Sequence, residues 1–214
     1  SSAAVYGNPS DIPVHEDAAL LPISPYGASK MMTERMLIDL AALGGMNFAI
    51  LRYFNVAGAD PQCRSGQVSP QVTHLIRIAA EVVTGRRNEI CIYGTDYATP
   101  DGTCIRDYVH VSDVADAHLA AFSHISASRE SIVLNCGYGH GYSVREVLAA
   151  VERVTGEDLA IREAQRRIGD AGQLVAATDR IHQVLGWSPR FNDLDNIIQS
   201  ALDWERRKIA LGID

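Results

Sequence analysis

At 214 residues the chain is long enough to bury a substantial core, in one domain or one and a half. Its 47% apolar and 21% charged residues exclude a disordered chain but select no activity. The balance of 19 basic against 26 acidic residues, a net charge of −7, argues against wholesale binding to nucleic acid or an anionic membrane.

The chain opens on "SSAAVYG", which reads as the end of a strand turning into a loop. Residues 8 to 25, rich in Pro and Asp, read as an active-site loop. From Tyr26 to about Leu43, Met31, Met32, Met36, Leu37, Leu40 and Leu43 recur at helical spacing, with Ser24-Pro25 near the start and Gly44-Gly45 as the stop. "NFAILRYF", 47 to 54, has the near-continuous apolar character of a buried parallel strand. Strand, crossover helix, strand is the rhythm of an α/β domain.

A second helix is expected from about Pro70 to Gly85 and a short strand at 89 to 94. A turn-rich segment follows, with a turn at Pro100-Asp101-Gly102. Ser112 is the expected cap of a helix from Asp113 to about Ile125, and residues 131 to 136 form another buried strand. Ser143 and Glu146 have the spacing of a capping box for a helix to Thr155. A short strand near 159 to 162, a helix from Asp179 to Leu185 and an amphipathic helix from about Leu194 to Ile209 complete the reading.

Cys63, Cys91, Cys104 and Cys136 show no CxxC or other metal-ligand spacing, which fits a reducing compartment, with the cytoplasm as the default, and no structural zinc. His15, His110, His118, His124, His140 and His182 form no HxH or HExxH group, so no metal site is expected. The apolar runs are short and interrupted, so no membrane span or signal peptide is expected.

The chemistry concentrates at Tyr26 and Lys30. Four residues apart on a helix, they share a face one turn from each other. A phenol with an ordinary pKa near ~10 is a poor base until a neighbouring cation stabilises its phenolate. A serine hydroxyl from "SS" would complete a Ser, Tyr and Lys set able to move a proton without a metal. Taken alone, a Tyr and Lys pair at this spacing is commonly plain helix surface.

Its company is what distinguishes it. "SSAAVYG", "SPYGASKMMTE", "RYFNVAGADP", "GTDYATPDGTCIRDYVHVSDVADAH" and "RRIGD", in this order, resemble the extended short-chain dehydrogenase/reductase family, and within it the UDP-sugar 4-epimerase group. The resemblance runs through essentially the whole chain. It implies an α/β fold: the C-terminal part of an NAD(P)-binding Rossmann-type enzyme with a smaller mixed α/β substrate-binding domain. It assigns residues 1–56 and 103–136 to the dinucleotide-binding domain, and 57–102 and 137–214 to the UDP-sugar domain. It also implies that roughly the first third of such an enzyme, including the GxGxxG turn, lies upstream of Ser1, and that this chain alone is unstable or inactive.

Residue by residue, the resemblance makes Ser2, Tyr26 and Lys30 catalytic. The same three, with Tyr53, would contact NAD. The family commonly follows its catalytic Ser with an Ala and a Thr; here Ala3 and Ala4 follow Ser2, so one hydroxyl near the substrate is absent. The Asp-Glu pair that related dehydratases carry in this region is missing, which disfavours dehydration. Arg106 and Arg167 would hold the diphosphate of a UDP-sugar, with Asp170 on the uridine ribose and Ile90, Cys91, Ile92 and Tyr93 passing the uracil. Arginine's rigid fork suits bridging phosphate oxygens. Arg166 is a further phosphate candidate, and Asp107 with Tyr108 would brace the Arg106 loop.

Ser2, Tyr26 and Asn55 would also meet the sugar or phosphate, and His74 is either a ligand contact or helix-terminal structure. Leu174 occupies a gatekeeper position and leaves hexose, pentose and N-acetylated sugars open. The implied reaction interconverts UDP-glucose and UDP-galactose through NAD. Alternatives are UDP-xylose/UDP-arabinose or UDP-N-acetylhexosamine epimerisation, or another nucleotide-sugar reductase or dehydratase. A homodimer through the helix bearing Tyr26 and Lys30, with Met31, Leu37 and Ala41 as packing material, is also implied.

Overall fold

The computed structural model describes residues 1–69 and 73–213. Ser2 opens it by capping a 3-10 turn, Ala3–Tyr6, with its hydroxyl accepting from the Ala4 N–H at 3.2 Å. A bridge from Ser2 to Tyr53 keeps this segment beside the strand expected at 47–54.

Helix α1 runs Pro25–Ala42. Ser24 caps it by accepting from Gly27 N–H at 3.1 Å, and Pro25 sits in the first turn, where its missing donor costs nothing. The strands β1 (Ala49–Tyr53) and β2 (Asn55–Ala57) follow. Helix α2 is Leu75–Val83, starting after His74 with no side-chain cap. Pro70 to Val72, with which the sequence reading begins this helix, lie outside the described residues.

Strand β3 (Ile90–Tyr93) lies where expected, but the segment read as turn-rich also contains β4 (Ile105–Arg106) and β5 (Tyr108–His110). Strands this short carry no alternating pattern of their own; distant partners define them. Helix α3, Val111–Ser128, is longer than expected at both ends, and its cap is His110 rather than Ser112. The reason is direct: His110 Nδ1 accepts from the Ser112 N–H at 3.1 Å.

Strands β6 (Ile132–Cys136) and β7 (Tyr142–Ser143) lead to α4, Val144–Thr155. Its capping box is complete, with Ser143 Oγ accepting from Glu146 N–H at 3.0 Å and Glu146 Oε2 accepting from Ser143 N–H at 2.7 Å. Strands β8 (Ile161–Ala164) and β9 (Gln173–Leu174) and helices α5 (Asp179–Leu185) and α6 (Leu194–Leu211) finish the described chain. No helix among the described residues is long and apolar enough to cross a membrane.

Three parallel pairs, β1 with β6, β2 with β5 and β3 with β8, carry the α/β architecture. The fourth sheet has order β7-β4-β9, with β4 antiparallel to β7 and parallel to β9. This last register sets Arg106 beside Leu174, and the β2 register sets Asn55 beside Tyr108. Residues far apart in sequence thereby meet at strand ends, where ligands bind in open α/β sheets.

Two large apolar cores flank these strands. One joins α2, β3, α4 and α6 through Ile76, Ile90, Ile92, Leu148, Ile198 and Leu202; the other joins β1, α3, β6 and α5 through Leu51, Val114, Leu134, Ile181 and Trp187. Each fully buried side chain of this kind contributes about 1.5–3 kcal/mol. A smaller cluster of Val5, Tyr6, Val14, Phe54, Leu174 and Ala176 sits under the first turn.

Candidate active site

A cavity of about 650 Å³ lies where the first turn and α1 face β2, β3 and β4. Ser2, Tyr26, Tyr53, Asn55, His74, Ile90, Cys91, Tyr93, Arg106, Arg167, Asp170 and Leu174 all contribute to its wall, so twelve of the fifteen residues given a site role in the sequence meet there. Lys30, Ile92 and Arg166 do not line it. Lys30 stands behind Tyr26, with Nζ 5.5 Å from the phenol ring centroid. Ile92 is 1% exposed because successive side chains on β3 point to opposite faces, and its side chain goes to the core. Only its main chain remains for a ligand.

The first turn of α1 delivers the phenol. Tyr26 is 56% exposed, next to Gly27, where a Cβ would lie 2.4 Å from the Ala4 carbonyl oxygen. A glycine there lets α1 close onto the Ser2 turn, so the hydroxyl-bearing segment and the phenol-bearing helix share one wall. Ser24 and Ile23 line the same wall, whereas the rest of the 8–25 loop does not. From that loop Glu16 instead reaches inward, accepting from Asn135 N–H at 2.8 Å.

Tyr53 meets a partner that no local pattern identifies. Its hydroxyl lies 2.8 Å from His118 Nε2, and His118 Nδ1 lies 2.7 Å from the Val114 carbonyl. A carbonyl only accepts, so Nδ1 carries the hydrogen and Nε2 of the neutral ring accepts from Tyr53. Burial pushes the Tyr53 phenol above its ordinary pKa, with smaller effects from Cys136 and Tyr26. The contact joins β1 to α3 across 65 positions, a distance no local pattern encodes.

On the opposite wall the structure separates Arg166 from Arg167. Arg166 pairs with Asp96 at 2.6 Å and lies over Tyr97. Arg167 points to the cavity, its guanidinium 3.7 Å from the Tyr93 ring centroid, a flat cationic surface at the mouth. Arg106 is half-buried and donates to the carbonyls of Ile105 at 2.9 Å and Ala171 at 2.6 Å.

Asp107 is a true brace. Its carboxylate accepts from the N–H groups of Tyr138, Gly139 and Ala176 at 2.8, 2.9 and 3.2 Å. Burial nonetheless pushes its carboxyl up to about 6, outweighing those donors. Its main chain accepts from Asn55 N–H at 2.8 Å and donates to the Leu174 carbonyl at 3.2 Å, tying two cavity residues to one buried anchor. His74 carries no capping bond and lines the wall, and Phe54 both packs and lines.

Residues 1–137 match the family described as NAD dependent epimerase/dehydratase family. The chain belongs to this family. A UDP-glucose 4-epimerase of Azospirillum brasilense is 57% identical over 206 residues, covering 96% of this chain and 59% of that protein. A crystal structure of UDP-glucose 4-epimerase from Stenotrophomonas maltophila, with bound NAD and formylated UDP-arabinopyranose, superposes with a TM-score of 0.94 at 39% identity, over 99% of this chain and 63% of that one. The enzyme from Bifidobacterium longum in complex with NAD+ and UDP superposes with a TM-score of 0.91 at 35% identity, over 98% and 63%. The chain thus has the fold of Rossmann-type epimerases, and it spans about three fifths of the length of the relatives it matches.

Proposed function

We propose that this chain carries the reacting and nucleotide-holding groups of an NAD-dependent UDP-hexose 4-epimerase, which interconverts UDP-glucose and UDP-galactose. The observation that carries the reading is one cavity with a phenol backed by an ammonium on one wall and an arginine on the other. The donor set fits the cofactor: Lys30 forms no ion pair among the described residues, so its ammonium is available to ribose hydroxyls as well as to Tyr26. NAD, when bound, accepts hydride from the sugar carbon and returns it.

The chain's own groups do the rest. Tyr26, as phenolate, takes the proton of the 4-hydroxyl and later gives it back, while Ser2 orients that hydroxyl. Arg167, Arg106 and Asp170 hold the nucleotide handle. A tight handle and a loose sugar let the 4-keto intermediate turn over between the two hydride steps without escaping. Residues 1–56 and 103–136 form the cofactor side in this reading, and 57–102 and 137–214 the UDP-sugar side.

A pentose version of the same reaction is the second reading, favoured by the arabinopyranose ligand of the Stenotrophomonas relative. The four cysteines are free, which supports a reducing compartment. A homodimer through α1 is supported by Met32, Met36, Leu40 and Leu43, all exposed; Met31, Leu37 and Ala41 are half-buried, and Met31 packs inward.

The full-length protein containing this chain is expected to convert UDP-galactose to UDP-glucose with no net change in nicotinamide absorbance. Turnover of neither that pair nor UDP-xylose/UDP-arabinose rejects the proposal, and a net redox change points instead to a reductase or dehydrogenase.

A further inference from the structure

Tyr26, Lys30 and Glu34 succeed one another at four-residue steps on α1, so they form one row down the helix. A carboxylate at that spacing is the ordinary partner of a lysine ammonium. Glu34 is not used that way. It is 2% exposed, and its two oxygens accept from Arg52, Nε to Oε1 at 3.0 Å and Nη2 to Oε2 at 2.8 Å. The Ser1 hydroxyl donates to the same carboxylate.

Arg52, on β1 and 5% exposed, is held in turn. Its Nη1 donates to the Tyr6 hydroxyl and the Glu16 carbonyl, both at 2.8 Å, and Tyr6 donates to Asn135 Oδ1 at 2.6 Å. A guanidinium with its fork on one carboxylate and its third nitrogen on two further acceptors has one orientation. The groups facing this row are Arg52 and Tyr53 from β1, Tyr6 from the first turn, Glu16 from the loop and Ser1. Tyr6 is pushed up to about 12, chiefly by burial, so it stays neutral over the working range. Tyr53 is pushed up as well, again chiefly by burial.

We propose that Arg52 is a positioning residue: by binding Glu34 in the interior it keeps that carboxylate off Lys30, and so leaves the Lys30 ammonium unneutralised beside the Tyr26 phenol. Its consequence for turnover rests on the epimerase reading; its consequence for the ionisation of Tyr26 does not. Without Arg52 the Glu34 carboxylate is a buried anion with the Lys30 ammonium one turn away on the same row of α1. An ion pair between them withdraws the charge that favours the phenolate.

The test uses the full-length protein and two readouts: the pH dependence of kcat, and the ultraviolet absorption of the Tyr26 phenolate by difference against a matched Tyr26→Phe protein. Arg52→Met is expected to move the ionisation of Tyr26 up by about one pH unit, so that kcat near neutrality falls about tenfold and recovers at higher pH. The double variant Arg52→Met/Glu34→Gln is expected to bring the ionisation back, because no carboxylate remains to reach Lys30. Arg52→Lys, which keeps a buried cation but loses the fork, is expected to shift it the same way by less. This variant decides the matter if Arg52→Met does not fold.

A purely structural ion pair lowers stability in all three variants and leaves the ionisation where it was. An unmoved ionisation in the single variants, or one that stays shifted in the double variant, overturns the proposal. If the wild-type protein turns over no UDP-sugar, the epimerase reading fails while the phenolate titration still decides the role of Arg52.

Discussion

On the Tyr26 side of the cavity the wall is fastened by a buried polar network, whereas on the Arg167 side the polar groups stand on the outer surface of an apolar core. The first side uses Glu34, Arg52, Tyr6, Asn135 and Glu16, each hydrogen bonded to another and most of them buried. The second rests on Ile90, Ile92, Leu148 and Leu202, and its charges, Arg162 with Glu89 and Arg166 with Asp96, pair in solvent. Buried polar networks fix orientation and tolerate no missing member; exposed pairs are weak and mobile. The difference matches the tasks proposed for the two walls. A proton transfer needs its phenol at one angle, while a diphosphate handle needs a strong charge that can follow it.

The comparison breaks first if the phenol is dispensable. Tyr26→Phe removes one oxygen from an exposed side chain and is expected to cost about 10²- to 10⁴-fold in kcat, the usual range for one general acid/base, with the affinity for UDP-sugar little changed. Steady-state kinetics and equilibrium titration with UDP separate the two quantities. A loss below tenfold would put the chemistry elsewhere in the cavity.

The opposite wall is expected to fail in the opposite way. Arg167→Ala deletes a guanidinium that stacks on Tyr93 and faces the cavity. A charge-assisted contact of this kind is worth about 1.5–3 kcal/mol, so KM should rise about 10- to 100-fold with kcat within a few-fold of wild type. Because the side chain is solvated, the melting temperature should not move. A fall in kcat with KM unchanged would mean that this wall also aligns the sugar, and the contrast drawn above would be wrong.

How far each wall was legible in the sequence follows the same division. Elements with strong local signals were readable: the Ser143 and Glu146 box, the helical spacing after Tyr26, and the apolar runs of β1 and β6 all lie within a residue or two of expectation. The cavity residues could be gathered only through resemblance, because the chain returns to the site from seven separate segments. What stayed hidden depends on tertiary pairing. β4, β5, β7 and β9 are two or three residues long and owe their existence to partners elsewhere, and the Tyr53 contact with His118 crosses from strand to helix.

Arg52 is the instructive case. An arginine in the middle of the apolar run "NFAILRYF" has to bury its charge or break the strand, so it demanded a carboxylate partner from the outset. Glu34, placed among the apolar positions of α1 on the row of Tyr26 and Lys30, was the candidate that helical geometry offered. That signal was present in the residues; it required asking of each charge in a buried element where its counter-charge lies.

The smallest expected effect sharpens the contrast by cutting an equivalent bond on each side. Ser143 and Ser24 are both N-caps, on α4 and α1, accepting from Glu146 N–H at 3.0 Å and Gly27 N–H at 3.1 Å. Loss of such a cap costs about 1 kcal/mol, and Ser143→Ala should cost more than Ser24→Ala because the buried Ser143 hydroxyl also donates to the Asp101 carboxylate. Their kinetics should differ. Ser143 does not line the cavity, and the start of α4 is held independently by the β7–β4 pairing and by Val144 N–H donating to the Cys104 carbonyl at 3.1 Å. Ser24 lines the cavity, and its cap fixes the turn from which Tyr26 projects. Ser143→Ala should therefore leave kcat unchanged despite the larger loss of melting temperature, while Ser24→Ala should lower kcat several-fold with the smaller loss. Equal kinetics in the two variants would show that the angle of the phenol is set entirely deeper in the fold, by Glu34 of α1 and Arg52 of β1, and that its cap contributes stability alone.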